Sequence, residues 1–186
     1  MAQLSDLIPL VRERAGGILD KFALDHLKRA YQKFCAESHV LAKEQQFNRG
    51  EPSELAVGEH HVFADVDFAL DSQRRELVRG TDYTVSPHGS VTLTASTPSY
   101  RVFYHVIPAL TLPDNVNAND MVIARWADHI ADGAAASLMK MPNVAWTDFQ
   151  IADYYTRVFT EGYREAYRVA VNALDEQRPR QSRVFY

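Results

Sequence analysis

WADHIADGAAASLMKMPNVAWTDFQIADYYTRVFTEGYREAYRVAV, from Trp126 to Val171, reads as two amphipathic helices joined by a tight turn at Met141-Pro142-Asn143. Ile123, Trp126, Ala127, Ile130, Ala134, Leu138 and Met141 recur at three- and four-residue spacing, which gathers them on one stripe. Asn119 or Asp120 supplies a cap before this helix, and Pro142 closes it. The small residues from Gly133 to Ser137 admit another backbone at close range. Thr147, with Gln150 three positions on, has capping-box spacing for the second helix. That helix turns Ala152, Tyr155, Phe159, Gly162, Tyr163, Ala166, Ala170 and Ala173 inward. Such a pattern packs helices and carries no reactive centre.

Upstream, Ser5 to Arg14 suggests a short helix with Pro9 near its first turn, stopped by Gly16-Gly17. A stronger helix follows from Leu24 to Ser38, with Leu24, Leu27, Tyr31, Phe34 and Cys35 on its apolar face. After His39 the period is lost until His61. From His61 to Phe68 the chain alternates, with Val62, Ala64, Val66 and Phe68 on one side and Asp65 and Asp67 on the other. RRELVRGTDYTVSPHGSVTLTA then reads as three short strands, with turns at Arg79 to Asp82 and Ser86 to Gly89. Tyr100 to Ile107 is a further strand, rich in β-branched and aromatic residues. The expectation is an α+β fold: a helical bundle with an antiparallel β insertion. Its parts are N-terminal helices and linker (1–56), a β lobe (57–110), a helical pair (111–174) and a flexible tail (175–186).

The chain has 186 residues and a formal net charge of −4, so it is not a polyanion binder as a whole. Cys35, the only cysteine, excludes an internal disulfide and a cysteine-built zinc site, and its place on an apolar face marks it as buried. No apolar run approaches the ~20 residues of a membrane span. The first residues lack the basic and apolar regions of a signal peptide, so synthesis in the cytoplasm is expected.

The seven histidines do not have metal-ligand spacing: His60 and His61 point to opposite faces of a strand, and the others lie in different elements. Asp128 and Asp132 share a helix face, where Arg125 and His129 are placed to balance them. There is no nucleophile elbow, P-loop or dinucleotide fingerprint. On the last helix Tyr154 and Tyr167 lie off the inward stripe beside Arg157, Arg164 and Arg168, a composition suited either to a subunit interface or to a plain amphipathic surface. The tail DEQRPRQSRVFY carries Arg178, Arg180 and Arg183 around a proline, then Val184-Phe185-Tyr186, which has strand propensity. Three arginines give weak, salt-sensitive phosphate contact, whereas the last three residues suit strand addition to a partner's sheet edge.

Several segments in order resemble the head–tail connector (adaptor) proteins of tailed bacteriophages. They are DHLKRAYQKFCAESHVLAKE, ELVRGTDYTVSPHGSVTLT, YRVFYHVIPAL, LPDNVNANDMVIARWADHIADGAAASLMKMPNVAWTD and FTEGYREAYRVAV, which run from Asp25 to Val171, and the resemblance extends roughly from Leu4 to Ala173. The resemblance implies a structural virion protein without catalysis or cofactor. It implies a ring of copies, typically twelve, docked below the portal protein and joined to tail or tail-completion proteins. DNA would pass through its channel without sequence-specific binding, and no membrane is involved. Carried onto this chain, Arg178, Arg180, Arg183, Val184, Phe185 and Tyr186 become the portal anchor. The sizeable β lobe departs from shorter, nearly all-helical relatives. Two rivals stand beside this expectation: another neck part, such as a tail terminator or head-completion protein, and a ligand-binding domain or enzyme using His60, His105 and Asp65 of the β lobe.

Overall fold

A computed structural model describes residues 2–51, 53–109, 111–114 and 117–178. The fold is α+β, with four α-helices and antiparallel sheets. The chain divides into two compact units. Among the described residues, one is formed by 2–40 and 108–168, the other by 41–107 together with 169–178.

The first unit is helical. A 3-10 turn at Leu4–Leu7 leads into α1 (Ile8–Arg14), where Pro9 sits in the first turn as expected. Helix α2 (Asp20–Ser38) buries Leu24, Leu27, Tyr31, Phe34 and Cys35, the five residues its periodicity named. It ends at His39, whose φ of 53° is the left-handed turn more often given to glycine. Helix α3 (Asp120–Met139) is capped by Asn119, whose side-chain oxygen accepts from the amides of Met121 and Val122. Its buried stripe holds Ile123, Trp126, Ile130, Ala134 and Leu138, while Ala127 and Met141 are only half-buried. Helix α4 (Phe149–Asp175) buries Ala152, Phe159, Gly162 and Ala166. Tyr155, Tyr163 and Ala170 are half-buried and Ala173 is exposed, so its stripe is narrower than the sequence suggests.

One local reading is corrected here. Helix α4 is capped by Asp148, whose carboxylate accepts from the amides of Gln150 and Ile151. Thr147 instead ties the inter-helix turn together: its hydroxyl donates to the Met141 carbonyl at 2.6 Å and accepts from the Val144 amide. At Gly133 the small patch of α3 receives a ring, since a Cβ there would stand 2.6 Å from the Phe159 ring. The exchange is reciprocal, since a Cβ on Gly162 would stand 2.2 Å from the ring of His129.

The second unit is built on a four-stranded sheet of order β1-β6-β2-β3, with strands at Ala42–Asn48, Ser99–Pro108, His61–Asp71 and Glu76–Leu77. Strands β4 (Tyr83–Val85) and β5 (Val91–Leu93) form a separate hairpin, with turns where the sequence places them. Strand β6 is buried along most of its length, as a strand covered on both faces should be. In β2 the buried residues are Val66, Phe68, Ala69 and Leu70; Val62 is exposed, so the alternation holds only from Val66 to Phe68, after which consecutive residues are buried. Strand β1 lies within residues that read as a linker, and its register with β6 runs from Ala42↔His105 to Asn48↔Ser99. Phe68 stacks on Phe103 with centroids 4.4 Å apart, and with Leu70 they form a core against which Leu174 packs.

Candidate interaction surfaces

The outward face of α4 follows from its period. With Ala152, Phe159 and Ala166 inward, Tyr154, Arg157, Arg164 and Arg168 fall on the opposite side and all are exposed. Tyr154 is 61% exposed and meets Tyr155 edge-on at 5.4 Å, which holds its ring out from the helix. Among the described residues none of the three arginines sits in an ion pair, although Glu161 and Glu165 lie on the same helix. Their guanidinium groups are therefore available to acceptors outside the chain.

Tyr167 has a different setting. Its ring meets His39 edge-on at 5.3 Å, against the residue that closes α2. A shallow groove beside it is lined by Glu37, Tyr163, Arg164, Tyr167 and Arg168. Glu37 was not legible as part of this surface, because only the packing of α2 beside α4 brings it there. The structure thus places Arg164, Tyr167 and Arg168 together at one groove. Tyr154 and Arg157 lie nearer the start of α4.

Arg178 is the one candidate portal-anchor residue among the described residues. Its guanidinium lies over the Phe68 ring at 4.8 Å and within 3.8 Å of Glu76 and 3.5 Å of Asp175. It is engaged by its own sheet unit, which leaves less of it for a partner than the sequence reading supposes. Arg180, Arg183, Val184, Phe185 and Tyr186 lie outside the described residues.

The residues weighed for chemistry are each tied to a partner. Asp132 is buried and paired with Arg14 of α1, which also holds the exposed Asp128 at 2.9 Å. Burial pulls the Arg14 pKa down, but bonds and charge from the two carboxylates outweigh it and leave it raised. Arg14, rather than Arg125 or His129, is thus the balancing group. In the β unit, Asp65 pairs with Arg79 at 2.8 Å, His60 with Glu59 at 3.4 Å and buried His105 with Asp67 at 3.3 Å. Burial pushes the Cys35 thiol up to about 12, so it is neutral at ordinary pH.

No protein-family model matches the chain, and no curated protein matches it.

Proposed function

We propose that this chain is a structural virion protein: a head-to-tail adaptor that forms a ring below the portal, joins capsid to tail and continues the DNA channel. The reading rests on the ordered sequence resemblance, and the observation that supports it in the structure is the outward face of α4. Tyr154, Arg157, Arg164 and Arg168 are exposed there, and the three arginines form no ion pair among the described residues. Tyr and Arg are the residues that interfaces favour. In a ring each subunit offers one surface to the next and a different one to the previous, so such a face needs a dissimilar partner surface on the neighbour. In this reading the helices form a bundle into which the β lobe is inserted, and the tail beyond Arg178 grips the portal.

The test is native mass spectrometry of the chain mixed with a candidate portal ring. The full-length chain should load at ring stoichiometry, and a form truncated after Arg178 should load far less. This cut keeps the contacts of Arg178 with Phe68 and Glu76, so loss of loading reports on the tail and not on a damaged sheet unit. Charge reversal at Arg157, Arg164 and Arg168 should abolish association between copies while leaving the unfolding free energy within about 0.5 kcal/mol of the parent. A folded protein that loads on no portal ring, whole or truncated, would overturn the adaptor reading in favour of a tail-side neck protein.

A further inference from the structure

A cleft of about 300 Å³ opens between α2, α3 and α4 within the helical unit. Three helix ridges build it. Along α2, His26 stands three and four residues before Arg29 and Ala30, and Lys33 four and three after them, so the four share one face. Gly133, Ala136, Ser137 and Lys140 do the same along α3, and Thr156 with Phe159 completes the floor from α4. The walls therefore carry three permanent cations and no carboxylate, in a chain whose net charge is −4. Local concentration of one sign against the overall charge is the electrostatic signature of a site for the opposite sign.

The polar groups are arranged as well as gathered. Thr156 donates its hydroxyl to the Ala152 carbonyl at 2.7 Å and accepts from Lys140 Nζ at 3.0 Å, so it positions the ammonium. Asp153 reaches the same ammonium at 3.3 Å from outside the cleft lining. Lys33 Nζ stands 5.9 Å from the centroid of the Phe159 ring, over its face. Among the described residues, Arg29 has no ion pair at all. His26 Nδ1 bonds Ser137 Oγ at 2.8 Å.

We infer that this cleft binds a phosphate group, held by Arg29 and Lys33 from the α2 side and Lys140 beyond the end of α3, above an apolar floor of Ala30, Ala136 and Phe159. A guanidinium fork and two ammonium groups supply donors only, which suits a tetrahedral oxyanion with acceptors on every side. The apolar floor accommodates whatever organic group carries the phosphate. The inference does not depend on ring assembly.

The experiment is a ¹H–¹⁵N NMR titration of the full chain at constant ionic strength, since generic screening of surface charge must be held fixed. The probes are inorganic phosphate and a short oligothymidylate without terminal phosphates. Phosphate should produce saturable shifts at Gly133, Ser137 and Lys140. It should also raise the titration midpoint of His26, which burial and the neighbouring Arg29 hold below the ordinary value. The exposed pair Arg29→Ala, Lys33→Ala should weaken binding by about tenfold or more, and Arg125→Ala should not. Binding of both probes at these residues would identify nucleic-acid phosphodiesters as a source, and binding of phosphate alone a free or monoester phosphate; either supports the site. Shifts that never saturate, or that persist unchanged in the double variant with its spectrum otherwise intact, would overturn it.

Discussion

Asp132 is an acidic side chain inside a helix interface, and Arg14 is what allows it to be there. The two are 7% and 14% exposed, so neither charge is well solvated without the other. Asp128, on the same guanidinium, is 73% exposed. The pair invites an asymmetric prediction. Asp132→Ala should cost about 3 kcal/mol in chemical denaturation, because a mostly buried cation loses its nearest partner. Asp128→Ala should cost no more than about 0.5 kcal/mol, as solvent screens an exposed ion pair. The spacing of the two aspartates was legible in the sequence, but their partner was not, since Arg14 reaches them only once α1 packs on α3. Cys35 was fully legible. Its neutral, enclosed thiol should ignore an aromatic disulfide reagent at pH 8 in the native state and react at once in denaturant. Rapid native labelling would contradict its burial.

At the scale of elements, helix periodicity carried most of the information and strand periodicity less. The apolar stripes of α2 and α3 are visible because one side of each helix is buried along its length. Strand β1 is hidden because its inward positions are mostly polar: Lys43 and Gln45 are half-buried beside buried Phe47, so burial alternates along this edge strand while hydropathy does not. The cap of α4 was misread by one residue, since Thr147 and Asp148 both have capping side chains and only geometry separates them. The α3–α4 pair gives a sharper case. Gly162→Ala gains about 1 kcal/mol of helix propensity in isolation. In the fold the added methyl meets the His129 ring at 2.2 Å, and His129 itself lies edge-on to Trp126 at 5.6 Å with a buried, unpartnered Nδ1. Overpacking of this kind costs about 1–3 kcal/mol, so the net change should be a loss. The combined Gly162→Ala, His129→Ala variant should recover part of it, and a simple sum of the two single effects would show that the residues are not in contact.

Across the whole molecule, α4 is the element that serves both units: Phe159 and Gly162 belong to the helical one, while Leu174 belongs with the sheet. A reading by periodicity treats Phe149–Asp175 as one surface, whereas its last turns answer to a different core. The assignment of Asp175 onward to a free tail arose the same way, because nothing local marks Arg178 as the partner of Phe68 and Glu76. Two kinds of attachment are therefore superposed within five residues, and their strengths differ. Leu174 packs apolar surface against Phe68, Leu70 and Phe103, two of which are stacked. Arg178 contributes a cation over a ring and ion pairs, with its side chain 42% exposed. Truncating a partly buried leucine costs about 2 kcal/mol, whereas a half-exposed cation–π contact with screened ion pairs contributes about 1 kcal/mol or less. Leu174→Ala should accordingly destabilise the sheet unit more than Arg178→Ala, read as loss of hydrogen-exchange protection in β2 and β6. Only the arginine variant's loss should depend on salt. Should Arg178→Ala prove the more damaging, and equally so at high salt, the end of α4 would be held by its charge-bearing residue in a desolvated contact, and the apolar anchoring argued for Leu174 would fail.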